Sequence, residues 1–196
     1  MPPAQPTPSQ TIGPFFGHAL PFHHGDQVAP AGHPDGITVH GHVYDGAGDP
    51  VTDALLEFWQ TPPDGSHITA TGSMRRDPVT GGHLGRNGVD FTGFGRVATD
   101  AAGHYALHTL RPGGVPYLAV IVFARGLLHH LHTRAYLTAA ADDPLLTSLE
   151  PRRRATLLAT PDAGRPTAHR PDSSYRFDIR LQDDGTHEET VFLELD

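Results

Sequence analysis

Apolar and polar residues alternate along several short stretches of the chain, as expected for β-strands that bury one face. The clearest case is residues 175–182, where four apolar residues alternate with four polar ones. Each stretch is bounded by turn-forming residues such as Gly, Asp and Pro. The other predicted strands of this kind are residues 37–44, 54–60, 93–99, 103–109 and 190–195.

Three stretches break this pattern. Residues 117–124 are continuously apolar, which predicts a central strand covered on both faces. Asp143 and Pro144 suit the N-cap and first position of a helix that ends near Pro151, with a second short turn over residues 152–158. Residues 61–92 are polar and rich in Gly, so they are predicted to form a long excursion from the sheet.

These elements predict an all-β fold, a single β-sandwich domain of about eight short strands with one short helical insertion. The sandwich is assigned to residues 37–196, and residues 1–36 are predicted to be an extended N-terminal arm. Adjacent aromatic residues are unusual in a disordered tail. Phe15 and Phe16 therefore predict that the arm packs on the domain or on a partner.

Composition and charge exclude several functional classes. The formal net charge is −8, and the three arginines at 152–154 are the one basic cluster, so nucleic-acid binding is disfavoured. The absence of cysteine excludes disulfides, thiolate catalysis and Cys-ligated zinc. The N-terminus lacks the features of a secretory signal, and no apolar run is long enough for a membrane span, so a cytoplasmic protein is expected.

A set of short motifs follows in a fixed order along nearly the whole chain. The motifs are TPSQTIGPF at 7–15, HVYDG at 42–46, LEFWQ at 56–60, FGR at 94–96, LHT at 107–109, FARG at 123–126, HLHTRAY at 130–136, YRFDIR at 175–180 and ETVF at 189–192. The ordered set resembles the intradiol ring-cleavage dioxygenases, and among them the iron-free α subunits.

This resemblance implies where iron would and would not bind. The family holds Fe(III) through two Tyr and two His, and the two His form an H-x-H pair on a strand, where alternate residues face the same side. Tyr117 and Ala119 stand at the positions of that pair, and residues 61–92, which should contain the first ligand Tyr, contain none. We therefore expect no metal on this chain and Fe(III) on a homologous β subunit.

The resemblance also implies a function. An α subunit lines one wall of its partner's active site, where O2 cleaves a small aromatic substrate, protocatechuate, to 3-carboxy-cis,cis-muconate in the β-ketoadipate pathway. No catalytic residue is expected on this chain. The residues that match the substrate pocket are Gly13, Pro14, Phe15 and Arg125, with Phe15 replacing a Tyr that is common in the family. Arg125 would place a cation near the substrate carboxylate.

The residues themselves are open to simpler interpretations. Gly13-Pro14 could be a simple turn, and Arg125 a solvated strand end. His130 and His132 form an H-x-H pair that could bind a metal in a self-sufficient metalloenzyme, or could be structural histidines at a strand start. The chain could also be a non-catalytic β-sandwich that binds or carries a ligand, or a related subunit that acts on another catechol.

Overall fold

A computed structural model describes residues 11, 13, 15–66, 74–86, 89–162 and 174–194. The strands are β1 (Ile37–Tyr44), β2 (Leu55–Trp59), β3 (Met74–Arg76), β4 (His83–Arg86), β5 (Phe94–Ala98), β6 (His104–Thr109), β7 (Tyr117–Phe123), β8 (Leu131–Tyr136), β9 (Thr160–Pro161), β10 (Ser174–Arg176) and β11 (Ile179–Arg180). The helices are α1 (Phe16–Ala19), α2 (Pro144–Ser148) and α3 (Pro151–Ala155).

Two sheets form the body of the protein. In the first sheet, β1 pairs with β6 on one side and with β10 and β11 on the other, and β10 in turn pairs with β9. The second sheet has the order β5-β2-β7-β8, with every neighbouring pair antiparallel. Strands β3 and β4 form a separate two-stranded hairpin. The prediction of an all-β sandwich is confirmed.

The core lies between the two sheets, because each contributes alternate apolar residues to one cluster. The first sheet supplies Val39, Val43, Tyr105 and Leu107, and the second supplies Leu56, Phe58, Leu118, Val120 and Val122. Burial raises the pKa of Tyr105 well above its ordinary value. The Tyr105 hydroxyl donates a hydrogen bond to the carbonyl of Phe177, so the buried phenol remains satisfied.

Several strand predictions need correction. Residues 175–182 do not form one strand, since the pairing with β1 is interrupted at Phe177 and Asp178, where the Phe177 carbonyl lies against Gly41. Residues 190–194 contribute a single bridge, between Leu193 and His132, rather than a strand. The predicted excursion at 61–92 contains the β3–β4 hairpin. Strand β7 is central, but alternate residues are only half-buried, so one of its faces is partly open.

The helical insertion forms where it was predicted. The Asp143 carboxylate accepts hydrogen bonds from the backbone N–H groups of Leu145 and Leu146, which caps α2. A second, smaller apolar cluster joins this insertion to β8 and the C-terminal segment through Tyr136, Leu146, Leu157 and Val191. Among the described residues, no helix is both long and apolar enough to cross a membrane.

The segment before β1 is attached to the second sheet and to β6. The Arg96 guanidinium donates to the carbonyl of Leu20 at 2.7 Å and also binds the carboxylate of Glu57. The Phe22 and Phe94 rings stack with centroids 6.2 Å apart, and Val28 is buried in the core. Residues 20–28 therefore pack on the sandwich.

Candidate functional site

The predicted pocket residues come from two places in the sequence, the N-terminal segment and the turn after β7. That turn begins at Ala124, which is fully buried, and Arg125 is its first exposed residue. The Thr11 hydroxyl donates to the carbonyl of Leu127 at 3.5 Å, and the Phe16 ring lies 6.4 Å from that of Phe123. The structure thus brings the N-terminal segment alongside the turn.

Gly13 and Phe15 lie in the sequence between Thr11 and Phe16, the two residues that contact the turn. Gly13 adopts a φ of +77°, a left-handed conformation that favours glycine, and its N–H donates to Thr11 Oγ1. A Cβ at Gly13 would contact no described atom, so the backbone conformation rather than a close approach accounts for the glycine. Phe15 is 75% exposed, which is unusual for so large an apolar side chain. Pro14 lies outside the described residues.

Arg125 forms an ion pair with Asp53, a residue that sequence analysis did not single out. Its Nε donates to Asp53 Oδ2 at 2.8 Å, and the two side chains are 73% and 33% exposed. The strand pattern alone gives no signal for Asp53, because the contact depends on the pairing of β2 with β7. When residues 54–60 and 117–124 run antiparallel, the residue before the first strand meets the residue after the second.

A different arrangement lies at the start of β7. A pocket of about 260 Å³ opens beside the strand, on its half-buried face. Trp59 is directly opposite Ala119 in the sheet, and Tyr117 is opposite Tyr136 of β8. The residues that line the pocket include Trp59, Thr61, Pro62, Val115, Tyr117 and Ala119.

Tyr117 is engaged by neighbours from this chain. The Arg134 guanidinium lies 4.2 Å from the centroid of the Tyr117 ring, and its Nη1 donates to Tyr136 Oη at 3.3 Å. Burial raises the pKa of Tyr136, although the hydrogen bond from Arg134 acts in the opposite direction. Sequence analysis did not single out Arg134. The pairing of β7 with β8 places it opposite Ala119.

These residues do not fit a ferric site. Ala119 has no donor atom, and the guanidinium over the Tyr117 ring places a positive charge beside the one phenol at these two positions, which disfavours a trivalent cation there. Across the described parts of the chain, no three His, Asp or Glu side chains converge in a way that could hold a metal ion. Ala119 therefore cannot supply the second histidine that the resemblance places at this position.

His130 and His132 lie near the other end of β7. Their ring centroids are 4.8 Å apart, and the His130 ring is 5.5 Å from that of Phe123. Partial burial lowers the pKa of His132, and the neighbouring His130 and His129 lower it further. Within the described residues, no third potential ligand joins this pair, so it supports packing rather than a metal site.

Comparison with known proteins identifies the family of this chain. A family profile described as Dioxygenase matches residues 11–134. The chain is 38% identical over 212 residues to the protocatechuate 3,4-dioxygenase alpha chain of Burkholderia cepacia, covering 96% of this chain and 97% of that relative. The chain belongs to the intradiol dioxygenase family. The family predicted from the ordered motifs is thereby confirmed.

Two further comparisons place this intradiol dioxygenase chain among its relatives. Its fold is similar to the dioxygenase domain of a dioxygenase carbohydrate-binding protein fusion from Streptomyces sp. SirexAA-E, with a TM-score of 0.53 and 25% identity, covering 90% of this chain and 98% of that one. The protocatechuate 3,4-dioxygenase beta chain of Burkholderia cepacia is 34% identical over 81 residues, covering 41% of this chain and 31% of the relative.

Proposed function

We propose that this chain is the iron-free α subunit of a protocatechuate 3,4-dioxygenase. The observation that carries the proposal is the similarity to an alpha chain along 96% of the sequence. The sequence also supports it, because Tyr117 and Ala119 stand where the resemblance places the family's H-x-H pair. The ferric ion, held by a homologous β subunit, would activate the catechol ring for intradiol cleavage by O2.

In this proposal the N-terminal segment and the turn after β7 form one wall of the partner's substrate pocket. Gly13 and Phe15 lie beside that turn through the contacts of Thr11 and Phe16, which supports a common surface. An exposed aromatic side chain such as Phe15 is the kind of residue that anchors protein interfaces. Pro14 stays part of the proposed wall on the strength of its neighbours in sequence.

Arg125 is proposed to bind the carboxylate that distinguishes protocatechuate from catechol. An arginine can bond a carboxylate bidentately, and such charge-assisted bonds are stronger than neutral ones. Arg125 is well placed for this role since its side chain is 73% exposed and stands on a buried strand end. The iron lies on the partner, so Arg125 would select the substrate without touching the metal.

Substrate discrimination tests this function. In the assembled αβ enzyme, Arg125→Ala should raise the KM for protocatechuate by roughly ten- to hundredfold, equivalent to about 1.5–3 kcal/mol, and should change catechol turnover little. Arg125→Lys should restore part of the loss, because a point charge lacks the planar fork. Oxygen uptake with both substrates measures this, and iron content is determined in parallel.

The matched control is Arg176→Ala, which removes a guanidinium from another exposed Arg–Asp pair, with Asp178, on the first sheet. It should leave the preference for protocatechuate unchanged. Equal losses for both substrates in Arg125→Ala would show that Arg125 supports the pocket generally. A preference for a different catechol in the unmodified enzyme would assign the subunit to another intradiol dioxygenase.

The proposal also includes an obligate α–β assembly located in the cytoplasm. Obligate interfaces commonly bury more than about 2,000 Å² and are more apolar than transient ones. Exposed Phe15 and Leu128 are candidates for such a surface. Sedimentation of the two chains after co-expression should give one large species, whereas independent monomers would contradict the assembly.

A further inference from the structure

The ion pair between Asp53 and Arg125 has a second consequence for substrate binding. We propose that Asp53 is a positioning residue that holds the Nε side of Arg125 and so leaves the two Nη groups available to the substrate carboxylate. This inference rests on the proposed function and adds a specificity-determining residue to it. Asp53 itself would not touch the substrate.

The sheet places Asp53 and Arg125 opposite each other. Strands β2 and β7 are antiparallel, and the last pair of their ladder is Leu55 with Phe123. Two residues before Leu55 and two residues after Phe123, the same antiparallel register brings Asp53 opposite Arg125. Directly opposite side chains in an antiparallel pair are close enough to interact. The contact between Arg125 Nε and Asp53 Oδ2, at 2.8 Å, therefore follows from the strand register.

The backbone on which Asp53 stands is fixed on both sides. Thr99 Oγ1 donates to the carbonyl of Val51 at 2.8 Å, and the N–H of Ala54 donates to the same hydroxyl at 3.0 Å. The N–H of Thr99 also donates to the carbonyl of Ala54, which is fully buried. Asp53 is thus presented from a turn held by a buried threonine, and this gives Arg125 a stationary partner.

The chemistry of the guanidinium makes the Nε contact useful. Arginine carries five N–H donors in one plane, and a carboxylate can bind two parallel donors at once. Asp53 uses one donor, on Nε. Within the described residues, neither Nη of Arg125 makes a hydrogen bond, so the Nη1–Nη2 edge is open to a second carboxylate.

Asp53 could instead compete with the substrate for Arg125, since it carries the same charge as the substrate carboxylate. The two roles predict opposite effects when the side chain is removed. If Asp53 is a competitor, its removal would free Arg125 for the substrate and the KM would fall. If Asp53 is a positioning residue, its removal would leave Arg125 to be ordered by the substrate itself. The KM would then rise by the cost of immobilising a long side chain. The fixed turn and the single Nε contact favour positioning.

The experiment compares Asp53→Ala and Asp53→Asn in the assembled αβ enzyme, with oxygen uptake on protocatechuate and on catechol. Asp53→Ala should raise the KM for protocatechuate roughly two- to tenfold and change kcat less than about twofold. Asp53→Asn should stay within about twofold of the unmodified enzyme, because its amide oxygen can still accept the Nε–H. Asp49→Ala, which removes a carboxylate from the same loop between β1 and β2, is the matched control.

The double variant Asp53→Ala with Arg125→Ala should show no further rise over Arg125→Ala alone, since Asp53 acts through Arg125. A fall in KM for Asp53→Ala would identify a competitor and overturn the inference. An unchanged KM, or equal losses on both substrates, would also overturn it. If Arg125→Ala changes the preference and Asp53→Ala does not, only this inference fails; if the assembled enzyme does not oxidise protocatechuate, the proposed function fails.

Discussion

The two ends of β7 differ in whether their aromatic and charged side chains have partners within this chain. At the start of the strand, Tyr117 is covered by Arg134, and Arg134 also binds Tyr136, so aromatic and charged groups are matched within the chain. We call these three residues the closed end. At the other end, Phe15 and Leu128 are 75% and 59% exposed, and Arg125 keeps both Nη groups free among the described residues. Phe15, Asp53, Arg125 and Leu128 are the open end.

This difference indicates how one fold can serve two kinds of subunit. At the closed end, the Tyr117 ring contacts the Arg134 guanidinium and the Tyr136 ring. The resemblance predicts that Tyr117 and Ala119 stand where the family has its metal-binding pair. The first and last residues of β7, Tyr117 and Phe123, are six residues apart, or about 20 Å. In the proposed function, one end has lost its donor atoms while the other keeps a surface for the partner subunit. We expect stability to depend on the closed end and function on the open end.

The largest effect should come from Tyr136, which is fully buried at the closed end. Tyr136→Ala should lower the free energy of unfolding by about 3–5 kcal/mol, because it opens a cavity in the second apolar cluster. Tyr136→Phe should lose about 1 kcal/mol, the value of one hydrogen bond. Urea unfolding of the full chain measures both, and a loss below about 1 kcal/mol for the alanine variant would contradict the assignment.

Phe15 should show the reverse behaviour. Phe15→Ala should weaken association with the partner subunit by about 2 kcal/mol, or roughly thirtyfold, as expected for an aromatic anchor. The unfolding free energy of the chain should change by less than about 0.5 kcal/mol, because the side chain is exposed. The matched control is Val79→Ala, a substitution at another exposed apolar residue, on the β3–β4 turn. If both variants weakened association with the partner subunit equally, Phe15 would not mark a specific interface.

Arg134 tests whether the closed end is purely structural. Arg134→Ala removes the guanidinium over Tyr117 and the hydrogen bond to Tyr136, and should cost about 1 kcal/mol of stability. The KM for protocatechuate and the preference over catechol should be unchanged in the assembled enzyme. A rise in KM comparable to that of Arg125→Ala would show that the closed end also contributes to substrate binding.

The smallest effect concerns pH. The pKa of His132 is lowered from 6.5, first by burial and then by its histidine neighbours. The unfolded chain therefore binds a proton at a higher pH than the folded chain, and stability should fall as the pH drops through about 6.5. His132→Gln should reduce this fall, whereas His18→Gln, at an exposed histidine, should not. Unfolding curves at about pH 7.5 and about pH 5.5 measure the difference; identical pH dependence in all three proteins would contradict it.

The fold was largely predictable because the strands of the sandwich carry their own local pattern. Strands β1, β2, β5, β6 and β7 lie within one or two residues of the predicted ones. The hairpin of β3 and β4 was missed, since its Gly-rich sequence lacks alternation. Residues 190–194 alternate but do not form a strand, because their N–H groups bind three separate partners, at Arg180, Thr156 and His132.

The site was less predictable than the fold. Arg125 could be singled out since it is the first polar residue after a continuous apolar strand. Asp53 could not be singled out, because its partner Arg125 lies 72 residues away in the sequence, on the neighbouring strand's side of the sheet. Arg134 could not either, because its contact with Tyr117 depends on the pairing of β8 with β7. Local patterns specify strands, but contacts between strands depend on their pairing, which a single sequence leaves undetermined.

The central claim is that this chain completes a site on a partner and holds no iron itself. Reconstitution tests it most directly: the purified chain is titrated into a fixed amount of the β subunit, and oxygen uptake with protocatechuate and the iron content of each chain are measured. We predict that this chain alone contains no stoichiometric iron and has no activity, and that activity rises to a plateau at equal amounts of the two chains. Iron and full activity in the isolated chain, or full activity in the β subunit alone, would contradict the account.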